Sequence, residues 1–253
     1  MDMLDRFEAA AKAGFKGVEF HFPYEWPAQE LARRLEEQDL KLVQINAPPG
    51  DWEAGERGLA ALSGREQDFR DSIARAIDYA GQLGCGLIHV MAGVVPDDPG
   101  RERAMETYGE NLYFAATASG EENIKVLIEA LNPRDVPGYM IGHAVQARSV
   151  IDVVGHENLY LQYDLYHGAM TGEDLQETIR ENLDIIRHMQ VAGVPGRHEP
   201  DADIPGGDID YPALFDVIDE LGYGGWIGCE YRPRTTTLEG LGWAQPYGIV
   251  PKP

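Results

Sequence analysis

Seven short runs rich in branched and aromatic residues, each separated from the next by a helix-length segment, constrain this chain more than any other feature of it. The runs are GVEFHF at 17–22, LKLVQIN at 40–46, GLIHVMAG at 86–93, KVLIEALN at 125–132, YLQYDLYH at 160–167, IIRHMQVAG at 185–193 and GWIGCEY at 225–231. Before the first of them, Leu4, Phe7, Ala11 and Phe15 recur near helical spacing, and amphipathic or helix-favouring stretches follow at 27–38, 66–82, 101–118, 143–154, 172–184 and 211–221. Thr171 stands where it would cap the 172–184 helix. Strands joined by helical crossovers run parallel and connect right-handedly. No Gly-x-Gly-x-x-Gly follows a strand and no phosphate-binding loop is present, so the nucleotide-binding form of an open doubly wound sheet finds no support. The pattern predicts one domain over residues 1–253, an α/β TIM (β/α)8-type barrel. Such a barrel has eight strands; seven are counted, so its first strand, expected before residue 4, is missing from the sequence.

In a barrel of this type the reactive groups gather where the C-terminal ends of the strands converge. Four late runs carry a polar side chain there: Glu129 in VLIEALN, Asp164 in LQYDLYH, Gln190 in HMQVAG and Glu230 in GCEYRPR. A charge inside an apolar strand costs several kcal/mol unless it is compensated, and three such carboxylates together call for a cation. All-oxygen ligation favours a hard divalent ion, Mg2+ or Mn2+, so Glu129, Asp164, Gln190 and Glu230 are the candidate metal ligands. A metal flanked by two glutamates suits proton transfer next to a carbonyl, because the ion stabilises the enediolate while one glutamate removes a proton and the other returns one. Glu129 and Glu230 are therefore the candidate catalytic pair.

Three further residues are candidate substrate contacts. His167 lies three positions after Asp164, near a strand end. Arg197 in PGRHEPD can grip a carboxylate in bidentate fashion, its structural alternative being a salt bridge to Glu199 or Asp201. His89 in IHVMAG faces either the barrel interior or the helices, depending on the phase of its strand. His198, a loop histidine beside acidic residues, reads more readily as solvated.

Charge narrows the partners. With 43 acidic against 21 basic residues the formal net charge is −22, a field that repels phosphate backbones and anionic membranes. The expected partner is a small molecule, neither nucleic acid nor membrane; aromatic-rich loops such as FPYEW are compatible with a homo-oligomer. The two cysteines, Cys85 and Cys229, lie in apolar runs and read as buried free thiols. The opening MDMLDRFEAAAKAGF lacks the pattern of a secretory signal, and no later run is long enough to span a membrane. A cytoplasmic location is expected.

The segments FEAAAKAGFKGVEFHFPYEWP, HVMAGVVP, LIEALNPRD, QYDLYH, QVAGVPGRHEPD and GDIDYPALFDVIDELGYGGWIGCEYRPR resemble the hydroxypyruvate isomerase family, including its 2-oxo-tetronate isomerases, within the xylose-isomerase-like barrels. The resemblance spans nearly the whole chain and is most specific in its last three motifs. It implies a (β/α)8 fold with a divalent metal on Glu129, Asp164, Gln190 and Glu230. It also implies acid/base roles for Glu129 and Glu230, and substrate contacts from His167 and Arg197. Gln190 fits the isomerase pattern, whereas related sugar epimerases resemble it with His at that ligand position. The chain departs from the family in lacking a strand before the FEAAAKAGF helix. The expected activity is isomerisation of hydroxypyruvate or a 2-oxo-tetronate; the alternatives are a ketose 3-epimerase, a metal-dependent endonuclease of the same barrel class, or a catalytically silent binding protein.

Overall fold

The computed structural model describes residues 1–95, 100–201 and 209–251. Seven strands, β1 (Gly17–Phe20), β2 (Lys41–Asn46), β3 (Leu87–His89), β4 (Lys125–Glu129), β5 (Leu159–Asp164), β6 (Ile186–Val191) and β7 (Trp226–Cys229), form one sheet in sequential order. Every neighbouring pair is parallel. Helices α1 (Arg6–Ala13), α2 (Ala28–Glu37), α3 (Glu66–Leu83), α4 (Arg101–Gly120) and α5 (Ala144–Val154) precede or link the first five strands. Then α6 (Leu165–Met170) and α7 (Leu175–Asn182) join β5 to β6, and α8 (Tyr211–Glu220) precedes β7. The (β/α) barrel expected from the sequence is present with seven strands.

The two strands at the ends of that order flank a seam. Among the described residues no ladder joins β1 to β7, and both are only half-buried, unlike the central strands. Instead the Trp226 ring lies against Gly17 and Val43, a placement open to it because Gly17 carries no side chain. A groove of about 710 Å3 runs along the seam, lined among others by Phe15, Val18, Phe215, Trp226, Trp243 and Tyr247. Trp243, Tyr247 and Thr237 bring the C-terminal segment to it: a short helix, α9 (Thr237–Gly240), and a 3-10 turn over Leu241–Tyr247. The sequence reading made no assignment to this segment.

Helices cover the sheet through apolar stripes. Leu31, Phe69, Ile73, Tyr108, Leu112 and Ile179 are buried on the inner faces of α2, α3, α4 and α7, in one continuous core with Ile45, Ile88, Val126, Ile128, Leu161 and Met189 of the strands. Among the described residues no helix is long and apolar enough to cross a membrane.

Four local expectations are corrected. YLQYDLYH does not continue as a strand to His167: the Asp164 carboxylate accepts from the Tyr166 N–H at 2.8 Å and so caps a new helix, which turns Tyr166 and His167 back over the barrel mouth. The helix after it starts later than 172, and its cap is Asp174, accepting from the Glu177 N–H at 3.1 Å, while the Thr171 hydroxyl donates backward to the carbonyls of His167 and Gly168. GLIHVMAG supplies only three ladder residues, because beyond His89 the chain leaves the sheet to bond with the 58–61 loop, as in the Ala61 N–H to the Ala92 carbonyl at 2.7 Å. Both cysteines are free; Cys85 is buried as expected, whereas Cys229 is half-buried.

One contact fixes the mouth of the barrel. The buried Tyr211 hydroxyl, at the start of α8, donates to the Ala192 carbonyl at 2.6 Å and accepts from the Ala192 N–H at 3.1 Å, holding the chain just past β6. Tyr211→Phe should leave both Ala192 groups without this partner and cost about 1–3 kcal/mol. Chemical denaturation checks this; an unchanged midpoint would contradict it.

Candidate active site

Strand register brings the polar side chains together. Asp164 pairs with Gln190, and Glu129 lies beside Gln162, one layer deeper on β5. Glu230 follows β7 directly. Side chains two apart on a strand share a face, so His188 lies below Gln190 on β6 and Gln162 below Asp164 on β5. The barrel interior is thus polar over at least two layers, and His89, whose direction the sequence left open, points inward with Nε2 at 3.6 Å from Glu129 Oε2.

Glu129 is almost fully buried, and its Oε1 has no hydrogen-bond partner. Burial, reinforced by the Asp164 and Glu230 charges, pushes its pKa well above the usual carboxylate range. Asp164 is also buried and is pushed up to about 7 by burial, against the opposing pull of Arg197. Glu230 behaves in the opposite way. Burial alone would raise it, but a hydrogen bond from His21 and the charge of Arg197 hold it down at about 2.

Arg197 supplies the local positive charge. Its guanidinium lies 2.9 Å from Asp164 Oδ2 and 2.9 Å from Glu230 Oε1, with the Tyr166 ring beneath it at 5.0 Å. The residue adopts a left-handed backbone, φ 53°, and its carbonyl accepts from the Arg232 N–H at 2.8 Å, which ties the loop to the chain beyond β7. Glu199 and Asp201, named from the sequence as its alternative partners, pair instead with Arg234. His198, read from the sequence as solvated, is half-buried and bonds through Nδ1 to the Arg232 carbonyl, a loop contact.

His167 is buried and oriented by a residue that the sequence reading passed over. Asn132 donates to His167 Nδ1 from its backbone N–H at 3.1 Å and approaches it with its side-chain amide at 2.7 Å. A ring nitrogen that accepts carries no proton, so the imidazole proton sits on Nε2, 3.7 Å from Asp164 Oδ2. Burial, aided by Arg197, lowers the His167 pKa to about 4, and burial lowers that of His89 to about 3. Both rings are neutral at physiological pH.

The predicted residues therefore share one site, though not in one equal quartet. Among the described residues the ligand atoms that converge within 4.8 Å belong to Glu129, Asp164 and His167. Glu230 shares the Arg197 Nη2 with Asp164 and is not in that cluster, and the Gln190 amide is engaged by Gln162 and Glu19. Asn132, His21 and Glu19 had weaker signals: Asn132 ends the LIEALN run, and Glu19 and His21 alternate in GVEFHF, the inward phase of that strand.

The xylose isomerase-like TIM barrel family model matches residues 7–247. The chain belongs to this family. Among its relatives in that family, the 2-oxo-tetronate isomerase of Cupriavidus necator is 52% identical over 244 residues, 96% of this chain and 92% of that protein. The hydroxypyruvate isomerase of Escherichia coli is 45% identical over 246 residues, 97% of this chain and 94% of that protein. A solved structure described as an AP endonuclease, family 2, from Brucella melitensis superposes with a TM-score of 0.94 at 45% identity, covering 98% of this chain and 94% of that one. A 3-keto-D-glucoside 4-epimerase from E. coli, at 20% identity and a TM-score of 0.77, shares the fold.

The contrast between the two glutamates is measurable without any ligand. Glu230, with its pKa lowered, contributes stability that is present above the ordinary carboxylate value of 4.5 and lost as pH falls toward 2. Glu129, with its pKa raised, favours folding below that value and costs stability as pH rises through its folded pKa. In a chelator at neutral pH, Glu230→Gln should cost about 1–3 kcal/mol, a deficit that fades below pH 4.5, whereas Glu129→Gln should be neutral or stabilising. Urea midpoints across pH decide; equal losses in the two variants would contradict this electrostatic picture.

Proposed function

We propose that this chain is an isomerase that moves the carbonyl between C2 and C3 of a small 2-oxo-3-hydroxy acid, hydroxypyruvate or a 2-oxo-tetronate, with Mg2+ or Mn2+ held by Glu129, Asp164, Gln190 and Glu230. The observation that carries the reading is the opposite treatment of two glutamates at one barrel mouth: Glu129 is pushed toward its protonated form and Glu230 toward its ionised form. Titratable groups whose environments push their proton affinities apart suit acid and base roles. The names of the relatives, 2-oxo-tetronate isomerase and hydroxypyruvate isomerase, agree with that chemistry.

The donor set fits a hard divalent cation. Glu129 Oε1 is buried without a partner, Asp164 and Glu129 are both raised by burial, and the ligands on offer are carboxylate and amide oxygens with His167 adjacent. When bound, such an ion supplies electrostatic stabilisation for the negative charge that develops on oxygen as a neighbouring C–H is deprotonated.

The side chains supply the remainder. Glu230, the ionised member, takes the proton from C3, and Glu129, the member of higher proton affinity, passes it on to C2; the hydroxyl proton moves between the two oxygens, so that substrate and product are isomers. The His167 Nε2–H, fixed outward by Asn132, donates to a substrate oxygen. Arg197 has a second use: the guanidinium that bridges Asp164 and Glu230 is also the cation at the mouth able to receive the substrate carboxylate. The net charge of −22 disfavours a phosphate backbone as substrate.

Purified protein with Mn2+ should exchange the substrate C–H with deuterium from solvent and convert the 2-oxo acid to its 3-oxo isomer. Glu129→Gln and Glu230→Gln should each lower kcat by roughly 100- to 10,000-fold. Full turnover after exhaustive chelation would sink the metal-dependent reading; a C3-epimerised ketose as the product would replace it with an epimerase, and plasmid nicking with a nuclease.

A further inference from the structure

Glu19 lies outside the set of residues assigned above, yet its side chain joins residues of three strands. It starts on β1, at the edge of the seam, and its carboxylate lies directly over the backbone of Gly228 on β7, where a Cβ would overlap it. From there it meets two side chains of β6. Its Oε2 contacts His188 Nε2, and its Oε1 accepts from Gln190 Nε2 at 2.9 Å. Two strands that share no ladder, β1 and β7, are thus crossed by one carboxylate that ends beside a candidate metal ligand.

The chemistry of that contact decides which way the Gln190 amide faces. Gln190 is also in contact with Gln162, whose Nε2 donates to Gln190 Oε1 at 2.7 Å. Two side-chain amides face to face can bond either way round, because each carries both a donor and an acceptor. A carboxylate only accepts, so Glu19 breaks that symmetry. The Gln190 NH2 must face Glu19, and its oxygen must then face Gln162 and the site. Gln162 in turn is obliged to donate, which agrees with its own Oε1 being buried and without a partner. An amide carbonyl oxygen has two lone pairs, so the one not used by Gln162 remains for a ligand.

The geometry points to Glu19 as a positioning residue: reaching across the β1–β7 seam over Gly228, it holds the Gln190 amide so that its oxygen, not its nitrogen, is presented at the barrel mouth. This rests on the proposed role of Gln190 as an oxygen ligand to a divalent cation. Groups that orient metal ligands typically change metal affinity by 10–100-fold when removed.

Two readouts test it, one of them free of metal. In 15N NMR spectra of the chelated protein, the Gln190 side-chain amide, identified by its absence in Gln190→Ala, should give two resolved, exchange-protected proton signals. Glu19→Ala should move them to the averaged position of a free amide, and Gly228→Ala, which displaces the carboxylate without removing it, should do the same. Glu19→Gln, whose amide can donate as well as accept, no longer fixes the direction of Gln190 and should move the signals part of the way. Calorimetric titration with Mn2+ should then show Glu19→Ala binding roughly 10–100-fold more weakly, with Glu19→Gln between Glu19→Ala and wild type. A folded Glu19→Ala with an unchanged Gln190 amide and unchanged Mn2+ affinity, even with a lowered Tm, would overturn the proposal by leaving Glu19 only a structural tie. So would a Glu19→Gln indistinguishable from wild type in both readouts. A wild type that binds no Mn2+ while its Gln190 amide still depends on Glu19 would support the positioning role and refute the metal reading instead.

Discussion

Asp164 and Glu230 share a single guanidinium, and the arrangement at the barrel mouth depends on that bridge. Without Arg197, two carboxylates and a third, Glu129, would face one another in a partly dehydrated space where like charges repel strongly. With it, Glu230 keeps its charge and Asp164 sits near neutrality in its titration. If all three carboxylates ionise, the guanidinium still leaves two negative charges unbalanced, the complement of one divalent cation. The same side chain is offered as receptor for a substrate carboxylate, so binding of substrate and release of the bridge are coupled in this account.

The fold serves that bridge by bringing distant segments into register. Parallel strands place Asp164 beside Gln190, the capping bond of Asp164 turns His167 inward, and Asn132 from the preceding strand end sets the His167 proton on the side of the carboxylates. The loop carrying Arg197 is closed by the pairing of Gly193 with His198 and is fastened to the chain past β7 by the Arg197 carbonyl and the His198 ring, both on Arg232. The seam between β1 and β7 is the one place where the sheet does not provide such register among the described residues. There Trp226 over Gly17 and Glu19 over Gly228 cross by side-chain contact instead of by backbone ladder.

Alternation of strand and helix made the barrel legible from the sequence, because a parallel sheet needs apolar strands with helical crossovers and little else produces that rhythm. The strand-end carboxylates were legible for the same reason: a charge in an apolar run is costly and therefore informative. What the sequence did not show were effects that depend on direction. LYH after Asp164 has strand-like composition, and only the capping bond makes it helical. Asn132 looks like a residue ending a strand until its donors are seen on the His167 ring. Arg197 stands two positions from Glu199, yet its partners lie on β5 and beyond β7, far away along the chain, while Glu199 pairs with Arg234.

The central claim is that buried, partly protonated carboxylates form a site for a divalent cation, and proton release on binding tests it most directly. Mn2+ would be titrated calorimetrically at pH 7 in buffers of different ionisation enthalpy. Since Asp164 titrates near 7 and burial raises the Glu129 carboxyl, the account predicts binding with release of protons, falling as pH rises. Binding whose heat is independent of the buffer, or no binding at all, would contradict it.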